Sequence, residues 1–282
     1  MRILITGICG FVGAALAAEL RAAYPAAEIT GIDNFVRRGS ETNREPLEKL
    51  GIRILRGDIR NPEDIEAAGS AEWIVDCAAN PSVMAGVDGA TSPRDLLDNN
   101  LVGTIHLLEY CRRHGAGFIL MSTSRVYSIP PLAGLPVAVR DEAFVPVPGV
   151  AIPGLTAAGV SEDFSTEPPL SLYGNSKRCS ELLALEYGHA FGFPVRINRC
   201  GVLAGAGQFG KADQGIFSYW IHAWAGRRPL RFIGFSGSGH QVRDCLHPRD
   251  LAPLLVRQME DPGRAVPQIQ NLAGGMAGAM SL

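Results

Sequence analysis

Between Ile3 and Ala23 the chain runs from a short apolar stretch, Ile3-Leu4-Ile5, through glycines at positions 7, 10 and 13, into an alanine-rich segment, Ala14 to Ala23. That order predicts a buried strand, a tight turn and a helix. Gly7 permits the turn, Gly10 lets backbone come close to a pyrophosphate, and Gly13 lets the helix lie against the strand. The N-terminus of that helix, around Phe11 and Val12, then offers free N–H groups and the positive end of a dipole to an anion. Three glycines at this spacing prove little in a chain that contains 33 of them. The strand before and the helix after supply the context that gives them meaning.

The next strand, Glu28 to Asp33, ends in a carboxylate 20 residues beyond Gly13. An acid at that place accepts hydrogen bonds from an adenosine ribose diol and repels a 2′-phosphate, which points to NAD over NADP. Arg37 and Arg38 act in the opposite sense, because an arginine nearby accommodates the phosphate. Further strands are predicted at Ile52–Leu55, over Trp73–Pro81 where the strand runs into small residues, and at Gly117–Ser124, with helices at about 45–50, after Asn61-Pro62, and from about Arg94 to His114. Alternation of this kind specifies a doubly wound parallel α/β sheet with ligands outside the carboxyl ends of its strands. Gly7, Asn80 and Thr123 sit at such ends. Ala78 and Ala79 are small enough to pass beside a flat cofactor, and Asp58 is placed where an adenine amino group could be met. Residues 128–169 are rich in Pro, Gly and Val with little period, as expected of a loop that covers a site.

Composition excludes several classes of function. With a net charge of −2 and scattered basic residues, neither a nucleic-acid surface nor an anionic-membrane surface is indicated. Apolar runs fall far short of a bilayer span and the N-terminus opens directly on a strand, so a soluble, cytoplasmic protein is expected. Six cysteines without a C-x-x-C pair and six dispersed histidines predict reduced buried thiols and no metal centre.

Tyr173 and Lys177 lie four apart at the start of a predicted helix and therefore project from one face. A phenol is a poor base at neutral pH, but an ammonium and a cationic nicotinamide both favour the phenolate. The pair, with Thr123 bonded to the same oxygen, would then act on a secondary alcohol.

These pieces together resemble the extended branch of the short-chain dehydrogenase/reductase superfamily, the nucleotide-sugar epimerases and dehydratases. The resemblance rests on Thr6-Gly7-x-x-Gly10-Phe11-x-Gly13, Asp33-Asn34, Asp58-Ile59, Ala78-Ala79, Asn100-x-x-Gly103-Thr104, Ser122-Thr123-x-x-Val126-Tyr127 and Tyr173-x-x-x-Lys177. It implies a catalytic Thr123, Tyr173 and Lys177 working with NAD held by Gly7, Gly10, Phe11, Val12, Asp33, Asn34, Asp58, Ile59, Ala78, Ala79 and Asn100. It also implies a Rossmann domain over 1–194, a smaller nucleotide-sugar lobe over 195–282, and dimers or tetramers formed through helices at about 96–114 and 174–190. Within the branch, Gln208 to Gly215 and His240 to Asp244 resemble the CDP-paratose (CDP-tyvelose) 2-epimerase group, which makes Gln208 and Arg243 the expected substrate contacts. Dehydratases of the branch carry Asp-Glu after the catalytic Thr, where this chain has Ser124-Arg125, so epimerisation is favoured. A UDP-hexose 4-epimerase and a silent NAD-binding protein are the alternatives. Relatives usually continue for some tens of residues beyond the counterpart of Asn271–Gly275, so a truncated smaller lobe is expected. Cys77 stands where a His is usual.

Overall fold

The computed structural model describes residues 1–87, 89, 91–211, 214–263 and 267–282. Seven strands, β1 (Arg2–Thr6), β2 (Glu28–Asp33), β3 (Arg53–Arg56), β4 (Trp73–Asp76), β5 (Gly117–Thr123), β6 (Val195–Cys200) and β7 (Ile269–Leu272), form one sheet in the order β7-β6-β5-β4-β1-β2-β3. Every pairing is parallel. The order reverses between β1 and β4, which opens a crevice at their carboxyl ends. This is the predicted doubly wound sheet, a Rossmann-like α/β fold. Two of its strands, β6 and β7, lie beyond residue 194.

Alternation along the strands explains the two cores. Ile3, Ile5, Val75 and Ile119 point to one face, where Leu16 and Leu20 meet Leu255 and Met259 of the helix Ala252–Glu260. Leu4, Ile74, Phe118 and Leu120 point to the other, against Leu107, Leu108 and Cys111 of the helix Gly103–His114 and Ala184 of the helix Leu172–Phe191. Strands covered on both faces have no polar side to show, hence their continuous apolar runs.

Gly13 is required by space alone. A Cβ there would stand 2.3 Å from the Gly7 carbonyl oxygen and 2.8 Å from the Ile8 Cα. Gly13→Ala should therefore push the helix Phe11–Ala23 off β1 and cost about 1–3 kcal/mol of unfolding free energy, read by denaturant titration. An unchanged midpoint would show that the turn yields.

Two segments differ from the sequence-based expectation. The helix expected from about 94 to 114 is three pieces: Pro93–Leu97, a π-helical turn at Asp98–Val102, and Gly103–His114. The wider turn carries Asn100 inward, where it is 1% exposed, and hydropathy periodicity does not register one extra residue in a turn. Within 128–169 the chain forms the short helix Ile129–Ala133 and two hairpins, Val137–Arg140 with Ala143–Pro146 and Leu155–Thr156 with Gly159–Val160. Ile152, Leu155, Val160 and Phe164 pack there on Val126 and Tyr127.

The remaining chain builds a small three-stranded sheet from Val202–Leu203, Arg243–Leu246 and Ala279–Met280, and the helix Ile216–Ala225, whose Ser218 bonds to Gly205 and Gln208. No helix among the described residues is long and apolar enough to cross a membrane.

Candidate active site

The glycine turn delivers β1 into the helix Phe11–Ala23 beside the crevice. Gly7 adopts φ +60, and a Cβ on it would come within 2.9 Å of the Ala78 Cα, so the ends of β1 and β4 touch backbone to backbone. Gly10 caps the helix without a side-chain bond, and no acid occupies the first turn. The leading N–H groups of the helix are thus left to an outside acceptor. Asp33 closes the turn from β2: it accepts from Cys9 N at 2.9 Å and from Phe35 N at 2.8 Å. Burial pushes its carboxyl up, and the N–H donors of Phe35, Cys9 and Gly10 pull it back down. These features fit a dinucleotide: an uncapped helix N-terminus for the pyrophosphate and a carboxylate beside it for the ribose.

Asn34 and Asp58 face each other next to Asp33. Asn34 Nδ2 donates to Asp58 Oδ2 at 2.9 Å, and Arg60 donates from its backbone N–H and from Nε to Oδ1 at 3.0 and 2.9 Å and from its terminal nitrogen to Oδ2 at 2.6 Å. The Arg60 guanidinium holds this carboxyl well below the usual carboxylate range. Ile59 is buried, and a Cβ on Gly103 would meet it at 2.5 Å. Ala79 is partly exposed at the end of the β4 loop, and Ala78 N donates to Thr6 Oγ1 at 3.2 Å.

The side of the crevice that carries the expected catalytic residues includes the end of β5, where Thr123 stands. Ser171 caps the helix Leu172–Phe191 by accepting from Gly174 N at 2.9 Å, which fixes the first turn and with it Tyr173. Tyr173 is 8% exposed and Lys177 1%. Burial pushes the Tyr173 phenol up, while a hydrogen bond with Thr123 and the Arg125 charge draw it down. Lys177 enters no ion pair among the described residues, and its charge bears on Cys77 and Cys200, two thiols that burial raises, Cys200 to about 12. Cys200 is level with Thr123 across β5 and β6 and also acts on Tyr173. A hydrogen bond joins Thr123 and Tyr173, and Lys177 follows one turn later on the same helix.

Asn100 ties the two sides of the crevice. Its Oδ1 accepts from Asn80 N at 2.8 Å, and its Nδ2 donates to Asn80 O at 3.1 Å and Ser176 Oγ at 3.2 Å. Gln208 is engaged within the small lobe, donating to Leu203 O at 2.8 Å and accepting from Ser218 Oγ at 3.0 Å. Arg243 stands at the start of its strand, half-buried. Ala212 and Asp213 of the 208–215 motif lie outside the described residues.

Sequence reasoning missed a buried ionic hub. Glu181, fully buried and one turn beyond Lys177, accepts from Ser122 Oγ at 2.6 Å and from Arg199 Nε and a terminal nitrogen at 3.1 and 2.8 Å. Arg199 also donates to Tyr127 Oη at 3.2 Å and Glu162 O at 3.3 Å, and Tyr127 donates to Asn271 Oδ1 at 2.6 Å. The available signal was a pair of arginines, Arg196 and Arg199, inside the closed strand Val195–Cys200, since a buried charge demands a partner.

A doubly wound sheet with a glycine turn at its switch point and a Tyr, Lys and Thr set across it defines a class: Rossmann-fold, dinucleotide-dependent enzymes acting on an alcohol or ketone. The model of the NAD dependent epimerase/dehydratase family matches residues 3–273. The chain belongs to that family, and its cofactor is NAD. A CDP-paratose 2-epimerase of Salmonella typhi is 27% identical over 292 residues, covering 100% of this chain and 81% of the relative. A dTDP-glucose 4,6-dehydratase of Streptomyces antibioticus is 29% identical over 284 residues, covering 98% and 72%. The crystal structure of a UDP-glucuronic acid 4-epimerase from Bacillus cereus, in complex with UDP-glucuronic acid and NAD, superposes with a TM-score of 0.77 at 26% identity, covering 100% and 79%.

Proposed function

We propose that this protein inverts one stereocentre of a nucleotide-diphosphate sugar, at C2 of a CDP-hexose. The observation that carries the reading is the hydrogen bond between Tyr173 and Thr123 at the tip of β5, with Lys177 one turn further along the same buried helix face. Gly7, Gly10, Phe11 and Val12 would hold the pyrophosphate of NAD, Asp33 the adenosine ribose and Lys177 the nicotinamide ribose. Bound NAD supplies a reversible hydride acceptor, so that the carbon can be oxidised to the ketone and reduced again from its opposite face. The chain's part is proton handling and orientation: Tyr173 takes the hydroxyl proton and later returns it, and Thr123 fixes the oxygen by hydrogen bonding. Ser124 and Arg125 following Thr123 provide no carboxylate pair for eliminating water across the ring, which favours epimerisation over dehydration.

A UDP-hexose 4-epimerase uses the same three side chains on another carbon, and the likeness to the Bacillus cereus enzyme supports it as the second reading. In both, the small sheet, the helix Ile216–Ala225, Gln208 and Arg243 belong to the sugar-nucleotide lobe, and we assign the protein to the cytoplasm as a homo-oligomer. The test is to assay denatured protein for released NAD(H), then incubate native protein with CDP- and UDP-hexoses and seek the epimer by NMR. NAD release without turnover of any sugar would leave only the binding function.

Because the Tyr173 phenol is raised and acts as the base in its deprotonated form, kcat/KM should climb as pH is taken from about 6 to about 9. A flat profile over that range would remove Tyr173 from the proton transfer.

A further inference from the structure

A cavity of about 700 Å³ opens at the amino ends of β1, β2 and β3, the end of the sheet opposite the crevice. Strand rise puts about 13 Å between Arg2 and Thr6 along β1, so the cavity is separate from the glycine turn. Three arginines line it: Arg2 on β1, Arg53 on β3, and Arg21 in the last turn of the helix Phe11–Ala23. Sheet register places two of them on one face. Arg2 is level with Glu28, and Thr30, two residues on, is level with Arg53. Side chains level on neighbouring strands, or two apart on one strand, point the same way.

Each of these guanidiniums is held by backbone carbonyls alone. Arg21 Nη1 donates to Pro25 O at 3.0 Å and Ala27 O at 2.7 Å, and Nη2 to Gly51 O at 3.2 Å, while Nε is buried without a partner. Arg2 Nε donates to Ser70 O at 3.1 Å, and Arg53 Nη2 to Ala67 O at 3.4 Å. None of the three enters an ion pair among the described residues. Arginines elsewhere on the surface do: Arg44, Arg60, Arg94, Arg112 and Arg113 each meet a carboxylate. Glu28 is the single acid in the wall, exposed and itself outside any ion pair among the described residues.

Carbonyl oxygens fix a guanidinium in place without cancelling its charge, so three cations face the cavity against one anion. Guanidinium donors match the oxygens of a phosphate. The volume lies within the range of about 300–1,000 Å³ usual for small-molecule sites and exceeds what a bare phosphate fills. Pro25, Ala26 and the 44% exposed Leu50 supply an apolar side to the same cavity, against which a carbon skeleton can be buried.

We infer that this cavity is a second ligand site, for a small phosphate ester: Arg2, Arg21 and Arg53 take the phosphate, and Pro25 and Leu50 cover the organic part. The length of β1 separates it from the crevice, so it is open to NAD-loaded protein and independent of the epimerase reading.

The test is calorimetric titration of NAD-loaded wild type, Arg2→Gln, Arg53→Gln and Glu28→Gln with glucose 6-phosphate, AMP, inorganic phosphate and glucose. Arg2 and Arg53 are exposed and each side chain gives up one carbonyl bond, so both variants keep the fold, which the denaturation midpoint verifies. Arg21, which ties two loops, stays in place. Glucose 6-phosphate or AMP should bind at one molecule per chain, and each arginine variant should weaken that binding about 10-fold. Glu28→Gln should tighten it about threefold, and glucose should not bind. Equal affinity in wild type and all three variants would put the ester elsewhere and overturn the site. So would the absence of binding by either ester at millimolar concentration. Inorganic phosphate held as tightly as the esters would overturn the part given to the apolar side.

Discussion

Tyr173→Phe should lower turnover on the order of 10²–10⁴-fold while leaving NAD bound. The ring of Tyr173 is buried at the start of the helix Leu172–Phe191, and its phenol meets Thr123. Phenylalanine keeps the shape and removes only the proton acceptor. The glycine turn, Asp33 and Lys177 are untouched by the change, so the amount of dinucleotide released on denaturation should equal that of wild type. A variant with wild-type rate would assign the proton to another group. One that lost both rate and NAD would show that Tyr173 supports the cofactor site as well.

Arg199→Ala should be the most destabilising single change, at about 3–5 kcal/mol of unfolding free energy, because it leaves the fully buried Glu181 carboxylate with less than its full compensation. Burial opposes the Arg199 charge, and the bonds to Glu181 and Tyr127 outweigh it, so that the guanidinium is held firmly protonated. Arg178, which also reaches Glu181 at 3.2 Å from a half-buried position, offsets a part of the loss. Equilibrium denaturation measures the effect. Turnover should fall with stability, since Ser122, bonded to Glu181, is the residue before Thr123. A cost below about 1 kcal/mol would mean that water or Arg178 takes over the pairing.

Much of this was legible in the chain itself. Ile3 to Gly13, Asp33 and the strand and helix alternation determine the doubly wound sheet, because each is a local requirement: a turn that needs glycine, a strand that needs apolar residues on both faces. Tyr173 and Lys177 were legible because a helix face is a matter of spacing. Asn100 was legible as a residue of interest through the family resemblance. Its role as the clamp between Asn80 and Ser176 was not, because it depends on a π-helical turn that inserts one residue into the helical count. The Glu181–Arg199 hub escaped for another reason. Its two members are separated by 18 positions and its further bonds span up to 144, and no local pattern joins Ser122, Tyr127, Glu162 and Asn271. Asp58 is expected where an adenine amino group could be met. The bonds its oxygens receive from Asn34 and from three donors of Arg60 were not legible, because only the folded β3 loop creates that arrangement.

The segment after Tyr127 is fastened at both of its borders to the same hub. Tyr127 donates to the Asn271 side chain in β7 and Glu162 accepts from the Asn271 backbone N–H, each at 2.6 Å, and Arg199 donates to both Tyr127 and Glu162. A flap hinged at one edge can swing open between chemical steps. A segment pinned at both of its borders cannot, and opening it would require one of those pins to break. In a reaction that oxidises and then reduces the same carbon, that raises the odds that each ketone formed is reduced again before it departs, so kinetic commitment would be set by this segment and not by the speed of the second transfer.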